Sequence, residues 1–219
     1  MIWRVPRVET PPALDARWRK TPWRRLPPLL LRRHMGPRPA HFPRVAAKLA
    51  YDRRALYVIF RVRDRYVRAT ARRRQDSVCQ DSCVEFFFVP GRDLENGYFN
   101  LEVNAGGVLL FHFQRQPRHN PVPIGPPLLR RVAVAHSLPR RVEPEIRRAV
   151  TWTVEYRLPW AGLEAYRPVA LPAPGTVWRA NFYKCADATS HPHWLTWACV
   201  NRPQPDFHVP EDFGELRFA

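Results

Sequence analysis

The chain has 219 residues and a formal net charge of +17, and it contains 25 prolines and nine glycines. Proline breaks the interior of a helix, so this content excludes a helical bundle, while 45% hydrophobic residues and eight tryptophans exclude a disordered chain. The length suffices for one β-sandwich with a substantial core, and we predict a single domain over residues 1–219.

The positive charge is a weak indicator of nucleic-acid binding. Only three of the 36 basic residues are lysines, and GC-rich codon usage gives such an arginine excess without selection for phosphate binding. In the densest basic segment, residues 53–74, Arg61, Arg63 and Arg65 fall on one face of an alternating pattern, which favours a solvated sheet face. The sequence has no zinc-finger, RNA-recognition or phosphate-loop motif. We expect no specific nucleic-acid partner, and weak polyanion binding remains an alternative.

Residues 1–43 are predicted to form an irregular entry segment that packs on the rest of the domain. Prolines are dense here, around Trp18, Trp23 and the apolar run Leu29–Leu31, which predicts an edge strand. The first residues lack the apolar stretch of a secretory signal, and Leu29–Leu31 is too short to span a bilayer. As written, the sequence predicts a cytoplasmic protein without membrane contact, or an extracellular one if its natural start lies further upstream.

Short apolar runs separated by Gly- and Pro-containing turns predict strands along the rest of the chain. The predicted strands cover Lys48–Tyr51, Ala55–Val62, Val84–Val89, Phe99–Asn104, Val108–Phe113, Arg131–Ala135, Ala149–Arg157, Trp178–Cys185, His193–Ala198 and Gly214–Phe218. The pair that flanks Gly106-Gly107 has the spacing of a hairpin. About ten short strands with almost no helix predict an all-β fold, a two-sheet antiparallel β-sandwich of jelly-roll or immunoglobulin-like type with long Pro-rich loops.

The segment DSVCQDSCVEFFFV, residues 76–89, is the most informative part of the chain. Its second half, Val84–Val89, is rich in aromatic and β-branched residues and ends at Pro90-Gly91, which predicts a buried strand. Glu85 alone interrupts the apolar run. An unpaired buried charge is costly, so Glu85 is expected either to form a structural ion pair or to contact a ligand.

A catalytic pair of carboxylates is not evident. Hydrolysis of a glycosidic bond uses two carboxylates about 5 to 10 Å apart, whereas Asp81 and Glu85 are separated by roughly 13 Å if the strand is extended through both. Glu85 and Glu102 become neighbours if their strands pair. A glycoside-acting enzyme therefore remains an alternative, and we predict no catalytic residue.

The four cysteines do not form a recognisable motif. Cys79, Cys83, Cys185 and Cys199 contain no C-x-x-C pair, as zinc or thioredoxin sites require. We expect most of them to be free, and a cross-strand bridge to Cys185 or Cys199 stays open. The loose spacing of the polar residues that follow residue 184 disfavours a transition-metal site there; these are Cys185, Asp187, His191 and His193.

Several blocks, in a fixed order, resemble carbohydrate-binding module family 9 and its stand-alone relatives. These blocks are the D-S-C-V-E-F-F-F run at 81–88 and the segments Gly97–Gly107, Trp152–Glu155, Asn181–Asp187 and Phe213–Leu216. The opening Leu14-Asp15-Ala16-Arg17-Trp18, followed by Trp23, is also similar to the start of such domains, with Ala16 where a glycine is usual. Together the blocks span most of the chain.

The resemblance implies a β-sandwich that binds a mono- or oligosaccharide without catalysis, in a family frequently attached to glycoside hydrolases that break down polysaccharides. It also implies a structural calcium ion, for which the sequence does not identify ligands. Glu85 matches a glutamate that holds sugar hydroxyls in the family, whereas the family's aromatic platform falls on Cys79, and Glu102 stands where an arginine is usual. This departure keeps open a protein that retains the fold for interaction or structure and has lost the ligand.

Sugar binding needs an aromatic face for the pyranose C–H surface and planar polar groups for its hydroxyls. The last third of the chain supplies both. Trp194 and Trp197 are three residues apart, so a regular strand points them to opposite sides; we expect Trp197 to be the exposed platform and Trp194 to pack inside. The predicted carbohydrate site consists of Glu85, Trp197, Tyr183, Asn181 and Lys184.

Overall fold

A computed structural model describes all 219 residues, and the chain is almost entirely β-structure. The strands are β1 (Ile2–Val5), β2 (Leu29–Leu31), β3 (Arg33–His34), β4 (Arg44–Tyr51), β5 (Ala55–Asp64), β6 (Val67–Ala69), β7 (Cys83–Val89), β8 (Tyr98–Asn104), β9 (Leu109–Gln114), β10 (Val122–Pro123), β11 (Ala133–His136), β12 (Val142–Ile146), β13 (Val150–Pro159), β14 (Val177–Cys185), β15 (Trp194–Thr196) and β16 (Gly214–Phe218). Helical structure is limited to α1 (Pro126–Leu129) and the 3-10 turns Trp23–Arg25, Val78–Gln80, Leu163–Ala165 and Pro210–Asp212. None of these helices is long and apolar enough to span a membrane.

Two sheets build the sandwich. The large sheet has the order β1-β16-β14-β7-β8-β9-β10, with β15 added beside β14 and β3 beside β15, and the small sheet has the order β11-β13-β5-β4-β2. β6 and β12 form a separate two-stranded sheet. Neighbouring strands are antiparallel except β1 and β16, which run parallel. The predicted β-sandwich is confirmed, and so is the hairpin of β8 and β9.

The main core lies between the two sheets, because every second residue of each long strand is apolar. Leu56, Val58, Phe60 and Val62 of β5 join Val84, Phe86 and Phe88 of β7 in one buried cluster of 41 residues. Phe182 of β14 connects the layers, since its ring centroid lies 4.9 Å from that of Phe86 and 6.1 Å from that of Phe60. Burying one such side chain contributes roughly 1.5–3 kcal/mol to folding.

The outer face of the large sheet is also covered, which is why β7 is buried on both sides. Cys83, Phe87 and Val89 point outward into a second apolar cluster, where the segment around Phe207 and Val209 covers them. Glu85 lies between Cys83 and Phe87 on this outward face, as the strand alternation requires. A gap in this cover forms the candidate site.

The N-terminal segment packs on the outer face of the small sheet. Trp18 and Trp23 form a third apolar cluster with residues of β4 and β5. The buried Glu155 carboxylate of β13 accepts hydrogen bonds from the Trp23 indole N–H and the Ala16 amide, both at 2.8 Å, and pairs with the Lys20 ammonium. This carboxylate therefore holds the irregular part of the segment, residues 15–23, while β1, β2 and β3 are held by strand pairing.

Candidate functional site

A cleft of about 150 Å³ opens through the cover of the large sheet. Its lining residues are Cys79, Glu85, Phe87, Glu102, Arg118, Cys185, Asp187, Trp194, Pro205, Phe207 and His208. Strands β7, β8 and β14 supply its floor, and the loops around residues 118 and 205–208 supply its walls. Acidic, basic, thiol and aromatic groups thus converge on one small cavity, a combination that is common where proteins bind small molecules.

Two carboxylates lie side by side on the floor. Glu85 of β7 is paired in register with Glu102 of β8, so the neighbourhood expected from strand pairing is confirmed. Glu85 is 2% exposed and Glu102 is 6% exposed. Burial raises the pKa of Glu102 to about 7, although the Asn100 amide, which donates to it at 3.0 Å, opposes this. Burial and the adjacent Glu102 raise the pKa of Glu85 well above its ordinary value.

Thiols surround Glu85. The Cys185 thiol of β14 donates a hydrogen bond to Glu85 Oε1 at 2.9 Å, and Cys83 is paired in register with Cys185. Cys79 lies at the edge of the cleft, where burial and then the Glu102 carboxylate raise the pKa of its thiol to about 12. All four cysteines of the chain are free. Burial also raises the pKa of Cys83 and Cys185, so the three thiols in and beneath the cleft keep their protons at neutral pH.

Trp194 provides the aromatic wall of the cleft. It is paired in register with Cys185 and so points to the same side of the sheet as the cleft floor. Its indole N–H donates to Asp187 Oδ1 at 2.9 Å, which fixes the ring while leaving it half-buried. Burial raises the pKa of the Asp187 carboxyl.

The opposite wall carries basic groups. The Arg118 guanidinium donates twice to Asp206 Oδ1, at 3.0 and 2.8 Å. Burial, then the charge of Arg118, lower the pKa of His208 to about 4, so its ring is neutral near pH 7. The Tyr98 hydroxyl lies 2.7 Å from His208 Nδ1. The cleft consequently has hydrogen-bond donors on one wall and acceptors on its floor and opposite wall.

The prediction that Trp197 is the exposed platform is wrong. Trp197 is 3% exposed and belongs to the main core, where its ring packs edge-on against Phe182 with centroids 5.7 Å apart. The odd spacing from Trp194 does place the two rings on opposite sides, but Trp194 faces the cleft and Trp197 faces the interior. The assignment of the two rings was therefore reversed.

Tyr183 and Asn181 support the site from below. Both are fully buried and neither lines the cleft. The Tyr183 ring stacks on Phe207, with centroids 4.1 Å apart, and its hydroxyl donates to the Phe207 carbonyl. Asn181 Oδ1 accepts from the amides of Phe182 and Ala198 at 2.9 Å. Tyr183 therefore positions a wall of the cleft, while Asn181 is a structural residue of β14.

Lys184 points to the other side of the sheet, so the expectation that it contacts the ligand beside Glu85 is wrong. Its ammonium lies between the sheets, 2.7 Å from His193 Nε2 and 3.7 Å from Asp64 Oδ2. Burial opposes ionisation of Asp64, but the charge of Lys184 and a hydrogen bond with His41 prevail and hold its pKa at about 2. Alternation along β14 separates Lys184 from Tyr183 and Cys185, which face outward.

Several cleft residues were missed from the sequence, namely Trp194, Asp187, Glu102, Arg118 and His208. Strand pairing reveals Trp194, because it faces Cys185 across β14 and β15. Arg118 and His208 lie in irregular loops, for which the sequence has no periodic signal. Only their contacts in the folded chain bring them to the cleft.

The comparison with protein families decides the relationship. The family model described as carbohydrate-binding family 9 matches residues 34–218, most of the chain. The chain belongs to carbohydrate-binding family 9. Among curated proteins, no sequence matches it.

Solved structures agree with the family 9 fold. A protein from Bacteroides uniformis ATCC 8492, whose assignment to carbohydrate binding is itself an inference, has a TM-score of 0.88 at 25% identity over 100% of this chain and 99% of its own. A family 9 module from Caldicellulosiruptor kristjanssonii in complex with cellotriose has a TM-score of 0.66 at 16% identity, over 100% and 93% of the two chains. A structure of a family 9 module from the same organism in complex with glucose has a TM-score of 0.66 at 16% identity, over 99% of this chain and 96% of its own. At this identity, the latter two show the fold alone.

The calcium ion implied by the family 9 resemblance finds no matching ligand set at the buried acidic residues. Calcium takes about six to eight oxygen ligands. Outside the cleft, Asp81 accepts hydrogen bonds from Asn104 and from the Thr70 amide, and Asp64 is bound by His41. The one cluster of three metal-ligating side chains contains two thiols, which suit calcium poorly. Calcium at another position stays a prediction.

Proposed function

We propose that this protein is a non-catalytic carbohydrate-binding module that holds one sugar unit in the cleft. The observation that carries the proposal is the placement of the Trp194 ring beside Glu85, Glu102 and Asp187 in one small cavity. An indole face suits the C–H surface of a pyranose, and carboxylates accept hydrogen bonds from its hydroxyls. Family membership supports the same function.

The residues of the cleft divide the work of recognition. Trp194 stacks on the sugar, Glu85 and Asp187 accept hydrogen bonds from hydroxyls, and Arg118 and His208 donate to ring or hydroxyl oxygens. The cleft, at about 150 Å³, is smaller than the roughly 300–1,000 Å³ of drug-sized pockets. We infer that a single terminal unit enters, and that such a module serves polysaccharide breakdown by holding chain ends.

Cys79 shapes the affinity of this site. A second aromatic ring would clamp the sugar from the other side, but Cys79 lies at that edge of the cleft and offers only a small thiol. Stacking is therefore one-sided, and we expect weaker binding than a two-ring site would give. The Arg118 guanidinium, which lines the cleft from a loop, offsets part of this loss of affinity by donating hydrogen bonds to the sugar.

The non-catalytic nature of the module is part of the proposal. A hydrolase places its two carboxylates on either side of the scissile bond. Glu85 and Glu102 instead occupy adjacent positions in the floor of one sheet, so both approach a ligand from the same side. Hydrolysis of aryl glycosides that disappears in Glu85→Gln would contradict this part of the proposal.

Isothermal titration against mono- and oligosaccharides tests the function. The salt concentration must screen the charge of +17. We expect saturable binding of one sugar class, weakened about tenfold or more in Trp194→Ala through loss of the stacking surface. Trp3→Ala, which removes a half-buried tryptophan of β1 outside the cleft, should bind like wild type.

Two results would contradict the proposal in different ways. If the folded protein binds no saccharide of the panel, a family 9 fold that serves interaction or structure is favoured. Undiminished binding by Trp194→Ala would place the sugar elsewhere. Trp197→Ala is not an informative binding variant, because removing this core ring destabilises the fold by about 3–5 kcal/mol.

A further inference from the structure

A compact group of metal-ligating atoms lies at the floor of the cleft. The two thiol sulfurs of Cys83 and Cys185 and a carboxylate oxygen of Glu85 all lie within 4.8 Å of one another. The sheet creates this arrangement. Cys83 and Glu85 are two residues apart on β7 and therefore share a face, and Cys185 of β14 stands directly opposite Cys83 in register.

The group has an inner and an outer side. Cys83 is fully buried beneath the others, whereas Glu85 and Cys185 line the cleft. An ion bound by the three side chains would be enclosed by the sheet on one side and would have a coordination position open to the cleft on the other. This is the open geometry of three protein ligands and one exchangeable ligand.

Few interactions inside the protein satisfy these groups. The only hydrogen bond to the Glu85 carboxylate comes from the Cys185 thiol. The Cys83 thiol contacts the Val84 carbonyl at 3.6 Å and the Cys185 thiol. Nearby cations are engaged elsewhere: the Lys184 ammonium bonds to His193 between the sheets, and Arg118 bonds to Asp206. A buried carboxylate flanked by two thiols thus has no bonded cationic partner.

We propose that Cys83, Glu85 and Cys185 bind a thiophilic divalent cation such as Zn²⁺. Two sulfur ligands and one oxygen ligand suit zinc and disfavour calcium or magnesium, which prefer oxygen alone. Binding forms two metal–sulfur bonds and one metal–oxygen bond. The protons of the two thiols and of the Glu85 carboxyl, whose pKa burial raises well above its ordinary value, pass to solvent, and no atom changes oxidation state.

Burial raises the pKa of both the Cys83 and Cys185 thiols, so without metal they keep their protons and the group stays neutral. A divalent cation takes the place of those protons and balances the negative charge that the ligands gain when they lose them. The proposal does not depend on the sugar proposal, since it rests on the three side chains alone.

Cobalt(II) is the probe for the test, because thiolate ligands give it charge-transfer absorption in the near ultraviolet. Protein freed of metal with a chelator, and then kept reduced with a non-chelating phosphine, is titrated with Co²⁺. We expect saturation at one equivalent per chain and displacement by one equivalent of Zn²⁺. Cys83→Ser and Cys185→Ser should each lose this absorption, whereas Cys199→Ser, which changes an exposed thiol outside the cleft, should retain it.

Glu85→Gln tests the role of the carboxylate independently of the thiols. It also keeps the proposal testable if the serine variants fail to fold. It should keep the thiolate absorption but bind Co²⁺ at least about tenfold more weakly, in line with the roughly 10–100-fold that lesser changes around metal sites cost. Circular dichroism and a thermal melt establish folding of each variant. Absence of thiolate absorption in reduced wild type would overturn the proposal, as would its survival in folded Cys185→Ser or its loss in Cys199→Ser.

Oxidation provides a further check on the geometry. Cys83 and Cys185 face each other across two strands, so a mild oxidant can join them as a disulfide, with two electrons passing to the oxidant and the two thiol protons to solvent. Such a bond removes both thiolates, and the proposal requires that Co²⁺ absorption vanish on oxidation and return on reduction. If mass spectrometry shows that the two cysteines are bridged and the Co²⁺ absorption is nevertheless the same before and after oxidation, the assignment is overturned.

Discussion

Glu85 shows how a residue's burial within a strand can be predicted from sequence while the identity of its neighbours cannot. A charged residue inside an apolar run must be paired or functional, so its importance follows from composition alone. The identity of its companions depends on strand register. Register places Glu102 and Cys185 beside it and turns Lys184 away, and the sequence patterns do not encode the pairing of β7 with β14.

The paired carboxylates give a pH-dependent prediction. The pKa of Glu102 is raised to about 7 from its ordinary 4.5, so the folded protein binds more protons than the unfolded chain between these values. This group's contribution to stability is therefore greatest below pH 4.5 and is lost as the pH rises through 7. Glu102→Gln removes that loss, and we expect it to be more stable than wild type at pH 8, by up to about 3 kcal/mol at about 1.4 kcal/mol per pKa unit.

Urea denaturation of wild type and Glu102→Gln from pH 4 to pH 8 measures the effect. The difference in free energy of unfolding should grow with pH. Glu9→Gln, which changes an exposed carboxylate far from the cleft, is the control and should show no such trend. A difference that is constant across the range would mean that Glu102 ionises as readily in the folded protein as in the unfolded chain.

The two tryptophans mark the limit of prediction at this scale. Their spacing correctly implies opposite faces. Which face is interior depends on what covers each side, and both faces of the large sheet are covered by apolar side chains. Because a strand with two buried faces has no polar side, its residue pattern does not show which side chains point to the interior of the sandwich and which point to the cleft.

Among the elements, the long strands were predictable, as were the short strands β2 and β15, while other short strands were not. Predicted strands such as Ala55–Val62 and Trp178–Cys185 match β5 and β14 to within a few residues. Strands β3, β6 and β10 have two or three residues each, which is too short for any periodicity to show. They owe their conformation to a neighbouring strand and not to their own residues.

Residues 16–23 of the N-terminal segment are anchored by a cluster of polar contacts, of which Glu155 makes the most. Glu155 accepts the Trp23 indole N–H and the Ala16 amide and pairs with Lys20. Glu155→Ala leaves these donors without a partner in a buried site, so we expect a loss of about 3–5 kcal/mol. The segment should also become sensitive to trypsin at exposed Arg17 and Arg19 before the rest of the chain unfolds.

Denaturation and limited proteolysis followed by mass spectrometry test this. Glu164→Ala, which changes an exposed carboxylate beyond β13, serves as the control. Equal cleavage rates at Arg17 in wild type and Glu155→Ala would show that the packing of Trp18 and Trp23 and the remaining hydrogen bonds hold the segment without Glu155.

At the scale of the whole molecule, a polar cluster at one end of the sandwich connects the two sheets. Asp64 ends β5 in the small sheet, and Lys184 belongs to β14 in the large sheet. His193, whose pKa burial lowers to about 3 with help from Lys184, completes the contact as a neutral ring. The sandwich fold was predictable from the strand pattern, but this inter-sheet contact was not, because it joins residues 120 positions apart in sequence.

Asp64→Asn should weaken the whole sandwich. The pKa of Asp64 is held at about 2, below its ordinary 3.8, so its ionised form stabilises the fold above pH 3.8 and that stabilisation is lost as the pH falls through 2. We expect a loss of about 2–3 kcal/mol at pH 7 from this shift of pKa. The difference between wild type and variant should shrink toward pH 2.

Thermal and urea unfolding across pH 2 to 7 measure that difference, with Glu9→Gln again as the control. A difference that persists undiminished at pH 2 would assign the role of Asp64 to its shape and hydrogen bonds, not to its charge.

The parallel pairing of β1 with β16 brings Ile2 opposite Glu215, and the Ala219 amide bonds to the Val5 carbonyl at 3.0 Å. The first and last strands are thus neighbours at one edge of the large sheet. Because the strands run parallel, residue 219 lies beside Val5 and residue 1 beside Glu215, roughly 13 Å apart along the strand direction. A flexible linker of several residues that runs back along this edge could join them, and the chain could then be opened at the exposed turn near residue 95. Such a circular permutant would keep every strand pairing of both sheets while moving the chain ends away from this edge.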